Sequence, residues 1–187
     1  MRREERYFYF TRHGQTVWNV ENKICGAMES GLTELGQEQA RALGRRIASE
    51  GIRIDEILYS PLVRAADTAR RISEETGIPC RPEARLTEQN FGRYEGTPRD
   101  GEEFARAKLD FINRYGDGES MLQLCHRIYS LLDDMRDEES GKIYLLVAHN
   151  GISRAVESYF RDMTNEEYAA FSIRNCELRK YVFRRVV

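Results

Sequence analysis

The chain has 187 residues, 41% of them hydrophobic and 32% charged, which fits one folded domain of ordinary size and excludes a disordered chain. Its formal net charge is −2, so the basic footprint of a nucleic-acid binder is missing. No apolar run reaches bilayer length and the opening MRREERYFYF is no secretory leader, so a cytoplasmic protein with no membrane partner is expected.

The elements follow in chain order. Residues 6–11 are apolar on both faces, as in a parallel-sheet strand covered by helices. Residues 33–50 read as a helix, with Thr33 suited to the N-cap, Glu34 in the first turn, and Leu43 and Ile47 four apart. Residues 54–59 read as a second strand. Ser60 and Pro61 then suit the N-cap and first position of a helix reaching about Glu75, closed by Gly77. Residues 78–97 read as mostly loop with one short strand, and 98–115 as a polar, partly helical excursion. Residues 119–137 form a clearer helix, one face marked by Met121, Leu124, Cys125, Ile128, Leu131, Leu132 and Met135. Residues 142–148 are a strand, 151–160 and 164–171 are helices, and 177–186 are a final strand. Alternating strands and helices predict an α/β fold. The expected architecture is a three-layer α/β/α sandwich with a mostly parallel central sheet, residues 1–187 forming one domain and 91–118 its cap segment. The arginines near both ends read as solvated surface. Cys25, Cys80, Cys125 and Cys176 show no paired spacing and read as reduced core residues.

One internal echo points to a site. FTRHGQT and LVAHNGI each run from strand to histidine to glycine to helix. This places His13 and His149 at the carboxyl ends of their strands, where open α/β sheets bind ligands. The helices that follow aim main-chain N–H groups at the same place, which suits an anion. His126 lies among Gln123, Arg127, Ser130 and Asp133 and reads as a solvated surface residue. Arg64 reads either as a surface ion pair or, with Arg12 at the same sheet edge, as half of a two-guanidinium clamp. Guanidinium forks fit phosphate oxygens, so the clamp would take a phosphate. The loop LTEQNFGRYEG offers two carboxylates, Glu88 and Glu95, and spacing does not choose a proton donor between them.

Rival chemistries fail on spacing. No cysteine has an arginine six positions later, as a cysteine-based phosphatase loop needs. There is no Walker-type loop, and GDGES at 116–120 lacks the strand and third glycine of a dinucleotide fingerprint. The His and Cys spacings offer no zinc set, and no cofactor or metal is expected.

These residues resemble the histidine phosphatase superfamily, the phosphoglycerate mutase-like group. The resemblance runs through six blocks in the family's order: TRHGQT with Trp18 and Asn19, GLTELGQEQA, YSPLVRAADTA, LTEQNFGRYEG, GDGES and VAHNGISR. It implies that His13 is the nucleophile and becomes a phosphohistidine. It implies a phosphate pocket of Arg12, Arg64 and His149, with Asn19 as a further contact. It makes Glu88 the proton donor and leaves Glu95 a structural or outer role. In that scheme the clamp neutralises the equatorial oxygens and no metal is required.

The sequence departs from the family pattern at the pocket rim. Asn150 stands for the usual glycine, Glu29 for an aspartate, Gly31 for a proline and Cys25 for a glutamine. A mutase would call for a longer insertion with paired arginines. Residues 97–118, TPRDGEEFARAKLDFINRYGDG, are short, mixed in charge and without that pair, so nothing in them demands a multiply anionic ligand. The expected activity is hydrolysis of a small-molecule phosphate ester. The second reading is mutase-type phosphoryl transfer, and the third a phosphate-binding regulatory module. Phe91, Tyr94 and Phe104 read equally as lining for the leaving group or as cap packing. Oligomeric state is not readable from the sequence.

Overall fold

Alternating apolar side chains along the strands divide the interior into two halves. In the computed structural model, which describes residues 5–183, five strands form one sheet in the order β3-β2-β4-β1-β5. These are β1 (Tyr7–Arg12), β2 (Glu56–Tyr59), β3 (Cys80–Pro82), β4 (Tyr144–Ala148) and β5 (Leu178–Val182). The first four run parallel, and β5 is antiparallel to β1 at the edge. Phe8 and Phe10 of β1 and Leu146 and Ala148 of β4 face one side with Leu58, while Ile57, Leu145 and Val147 face the other. All five residues of β4 are buried, because helices cover both faces of the central strand. The α/β sandwich with a mostly parallel sheet is the expected architecture.

The helices are α1 (Val17–Val20), α2 (Glu34–Ser49), α3 (Val63–Thr76), α4 (Glu102–Ala107), α5 (Met121–Asp137), α6 (Asn150–Phe160) and α7 (Asn165–Ala170). α2 and α3 pack on one face through Leu43, Ile47, Ala65, Ala69 and Ile72. α5 and α6 pack on the other through Leu124, Ile128, Leu132, Ile152 and Val156. Helix starts follow their caps: Thr33 accepts from Gly36 N–H, while Ser120 forms a reciprocal capping box with Gln123 and Thr164 with Glu167. Gly77 ends α3 at φ 73°, the left-handed cap expected of it.

Three expectations change. Ser60 does not cap α3; the helix starts at Val63 after Leu62, and the Ser60 hydroxyl is taken by His149. α1 was not expected, although Thr16 and Asn19 form a capping box around it. The cysteines are free, as expected, and all four are half-buried: Cys80, Cys125 and Cys176 pack against the core, whereas Cys25 lies at the cavity instead. Residues 184–186 of the expected last strand, with Arg2, Arg3, Arg184 and Arg185, lie outside the described residues.

The segment after β3 crosses the carboxyl edge of the sheet. It carries two short 3-10 turns, Ala84–Leu86 and Gly92–Tyr94, and then α4. Phe91, Tyr94, Phe104 and Tyr115 form a small aromatic cluster there with Ile24. No helix among the described residues is long and apolar enough to cross a membrane.

Candidate active site

β1 and β4 are parallel neighbours with Arg12 opposite Ala148, so the next residues, His13 and His149, emerge side by side. His13 N–H donates to the Ala148 carbonyl at 2.9 Å, and the two imidazole centroids lie 5.2 Å apart. Gly14 follows because two main chains cross there: a Cβ would sit 2.9 Å from the Gly36 carbonyl carbon and 3.0 Å from its Cα. Gly14 N–H donates to Thr68 Oγ1 at 3.0 Å, and Asn175 Nδ2 donates to the His13 carbonyl at 2.7 Å. The turn carrying His13 is thus held from three sides.

Hydrogen bonding settles the proton on each ring. His13 Nδ1 lies 2.7 Å from the Gly14 carbonyl, which can only accept, so Nδ1 carries the hydrogen and Nε2 keeps its lone pair. Burial, then Arg12 and Arg64, hold His13 well below the ordinary histidine pKa, so the ring is neutral at pH 7. For His149 the tautomer reverses. Arg64 Nε donates to its Nδ1 at 3.2 Å, so Nε2 carries the hydrogen and donates to Ser60 Oγ at 2.7 Å. Burial and Arg64 keep this ring neutral as well.

The charged groups fall into two shells. Arg12, His13, Asn19 and Glu88 line an open cavity at the sheet edge. Arg12 donates from Nη1 to the Ile173 carbonyl at 3.1 Å, while its buried Nε has no partner among the described residues. Burial and neighbouring cations lower its pKa to about 10, which still leaves it protonated at pH 7. Arg64 and His149 stand behind His13 rather than on the cavity wall. Arg64 is 1% exposed, and its terminal nitrogens donate to the Met28 and Gly26 carbonyls at 2.8 and 2.7 Å. It fastens the 25–28 loop over the site and is no surface ion pair.

Glu88 is buried with both carboxylate oxygens engaged. Oε2 accepts from Gly151 N–H at the start of α6, and Oε1 from Gln89 N–H, each at 2.9 Å. The helix terminus expected to hold a ligand anion therefore partly serves Glu88. Glu95 sits apart from the cavity wall, accepting from the N–H groups of Gly26, Ala27 and Phe91 at 2.9–3.0 Å. Asn19 Oδ1 accepts from Thr16 N–H and from Asn175 Nδ2. His126 is exposed on α5.

The departures at the rim have structural uses. Asn150 Oδ1 accepts from Ile173 N–H at 3.1 Å, Glu29 Oε2 accepts from Val63 N–H at 3.0 Å, and Cys25 lines the cavity. Phe91 and Phe104 both line the cavity and pack in the cap cluster, whereas Tyr94 only packs. Sequence reasoning missed Ser60 and Asn175, which position the histidines, and Arg99, Lys108 and Arg154, which line the cavity. Arg154 had a signal: it lies one turn into the helix that follows the second histidine. Among the described residues there is no cluster of three or more His, Cys, Asp or Glu side chains placed to hold a metal.

The geometry meets its relatives here. A family model described as the histidine phosphatase superfamily (branch 1) matches residues 8–186. The chain belongs to this superfamily. A probable phosphoglycerate mutase, GpmB, from Yersinia pestis is 31% identical over 179 residues, covering 92% of this chain and 82% of that protein. A mycobacterial glucosyl-3-phosphoglycerate phosphatase in complex with VO3 superposes with TM-score 0.80 at 26% identity, covering 94% of this chain and 90% of that one. Bacillus stearothermophilus YhfR superposes with TM-score 0.80 at 26% identity over 93% of this chain and 89% of its own. This histidine phosphatase superfamily member thus has both phosphatases and mutase-like proteins among its relatives.

Proposed function

We propose that this chain hydrolyses phosphomonoesters of small metabolites through a phosphohistidine on His13. One observation carries the reading. A neutral histidine with a free Nε2 shares a cavity with an unpartnered buried guanidinium nitrogen and a buried carboxylate. Nε2 attacks phosphorus in line, and Glu88, entering this step as the protonated acid after taking up a proton with the substrate bound, gives that proton to the leaving oxygen. Water then attacks the phosphohistidine while Glu88 accepts its proton. Arg12 meets the charge on the equatorial oxygens, with Asn19 beside it. Arg64 and His149 supply charge and a donor from behind His13. To touch the phosphoryl group directly, His149 exchanges its Ser60 acceptor, and Arg64 exchanges the Gly26 or Met28 carbonyl. The charge work falls to these residues, with no metal or cofactor in the scheme.

Phosphoryl transfer of mutase type is the second reading, favoured by the 31% identity to a probable phosphoglycerate mutase. The two part on the fate of the phosphoryl group. The test is inorganic phosphate release from aryl, sugar and glycerate phosphates, with His13→Ala alongside. Release lost only in His13→Ala supports hydrolysis. Isomerised glycerate phosphate without free phosphate replaces it with the mutase. No reaction with any ester removes both.

A further inference from the structure

The charges on the cavity wall do not balance for a simple phosphate ester. Its ionisable wall residues besides His13 and Cys25 are four cations, Arg12, Arg99, Lys108 and Arg154, and one carboxylate, Glu88. A phosphate monoester dianion leaves one positive charge uncompensated with Glu88 ionised, and two with Glu88 protonated as its role as acid requires. The three cations beyond Arg12 come from separate places: the loop before α4, the residue just after α4, and the second turn of α6. None of them forms an ion pair among the described residues, although the chain makes many on its surface.

Each of the three is held by something other than an acid. Arg99 donates to the Lys23 carbonyl at 2.9 Å. Arg154 is 8% exposed and donates from Nε to the Phe171 carbonyl at 3.0 Å. Lys108 rests over the Phe104 ring, its nitrogen 5.5 Å from the centroid. Acids of the same segment point elsewhere. Glu103 pairs with Arg93 at 3.0 Å and Glu102 with Arg106 at 3.8 Å, both on the exposed side. The balanced charge of residues 97–118 therefore separates in space, with Arg99 and Lys108 in the cavity wall and none of the segment's acids there. The net charge of residues 97–118 therefore understates the positive charge this segment turns towards the cavity. Desolvation lowers the pKa of all three, and Lys108 is lowered further by Arg154 and Arg99, its charged neighbours. Of the three, only Arg154 is buried, Lys108 is half-buried and Arg99 is exposed, so the cost of an uncompensated charge falls on Arg154 and an anion that reaches it passes the other two.

We infer that Arg99, Lys108 and Arg154 form a second anion subsite, so that the preferred substrate is a phosphomonoester whose leaving group carries its own carboxylate or phosphate. This rests on the phosphoester reading of the His13 cavity. Arg154 is the fixed member, and Lys108 and Arg99 at the rim set the preference.

Non-hydrolysable probes test it without turnover. Calorimetry would compare phosphonopropionate with its uncharged carboxamide, and carboxyphenylphosphonate with its carboxamide, so that two spacer lengths are covered. An alkyl bisphosphonate forms a third arm and separates a phosphate from a carboxylate preference. The wild type should bind the doubly anionic probe at least about tenfold more tightly than its amide at one spacer length. That ratio should fall to near one in Lys108→Met with Arg99→Met, both of which keep an apolar stem. Equal affinities for acid and amide at both lengths, with the bisphosphonate no tighter, overturn the inference, as does a preference that survives both substitutions. Phenyl phosphate turnover is scored separately. A charge preference without turnover sinks the hydrolase reading and leaves the subsite, whereas turnover without a charge preference does the reverse.

Discussion

Gly151→Ala would disable the proposed acid without touching it. A Cβ at this position would lie 3.1 Å from Glu88 Cδ and 3.3 Å from Oε2, and closer still to Oε1. Ordinary contact starts near 3.5 Å, so the carboxylate has to retreat by about 1 Å. The Gly151 N–H bond to Oε2, 2.9 Å long, then stretches or breaks. A misplacement of that size costs about 100-fold in rate, or about 2.7 kcal/mol of barrier. The loss should depend on the leaving group, because acid help matters only where the departing oxygen is basic. The assay is kcat/KM for an alkyl phosphate and for nitrophenyl phosphate, with thermal unfolding as the folding control. The expected result is a loss of about 100-fold on the alkyl ester and no more than about fivefold on the aryl ester. An equal loss on both esters in a folded variant, or no loss on either, would refute the placement of Glu88 as acid.

Three further outcomes follow. His13 and His149 both have pKa values held below the ordinary 6.5, so the unfolded chain binds protons that the folded chain refuses. Stability therefore falls as pH drops through 6.5, by on the order of 1 kcal/mol for each ring between pH 7.5 and 5.5. Urea unfolding at the two pH values measures this, and His13→Ala should remove about half of the difference. Ser60→Ala leaves the buried His149 Nε2–H without its acceptor and should cost about 1–3 kcal/mol, read by the same unfolding. Treatment with a strong chelator should leave turnover unchanged, and its loss with recovery on adding a divalent cation would remove the arginine-and-histidine scheme.

Much of the fold was readable because its signals are local. The apolar run ending in Thr11, Arg12 and His13 is a buried strand, and the period of Leu124, Ile128 and Leu132 places α5 on the sheet. Glu34, Gly77 and Thr164 sit at helix ends where their chemistry puts them. The pairing of His13 with His149 was legible from the echo of two strand–histidine–helix units, since adjacent parallel strands make such positions neighbours. What stayed hidden is non-local. Ser60 looked like a helix cap because a serine before proline usually is one. Its partner, His149, lies 89 positions away. Asn175 reaches His13 across 162 positions. Arg64 looked like a direct clamp, yet its terminal nitrogens hold carbonyls of a loop 36–38 residues earlier. Charge counting along residues 97–118 averaged two faces that the fold separates, which hid Arg99 and Lys108.

The stereochemical course at phosphorus tests the central claim most directly. The substrate is an ester with an isotopically chiral thiophosphoryl group, hydrolysed by the wild type in isotopically labelled water. Attack by His13 followed by attack of water comprises two in-line displacements, each inverting, so net retention is the predicted result. Net inversion would mean a single direct attack by water, and His13 would not be the nucleophile.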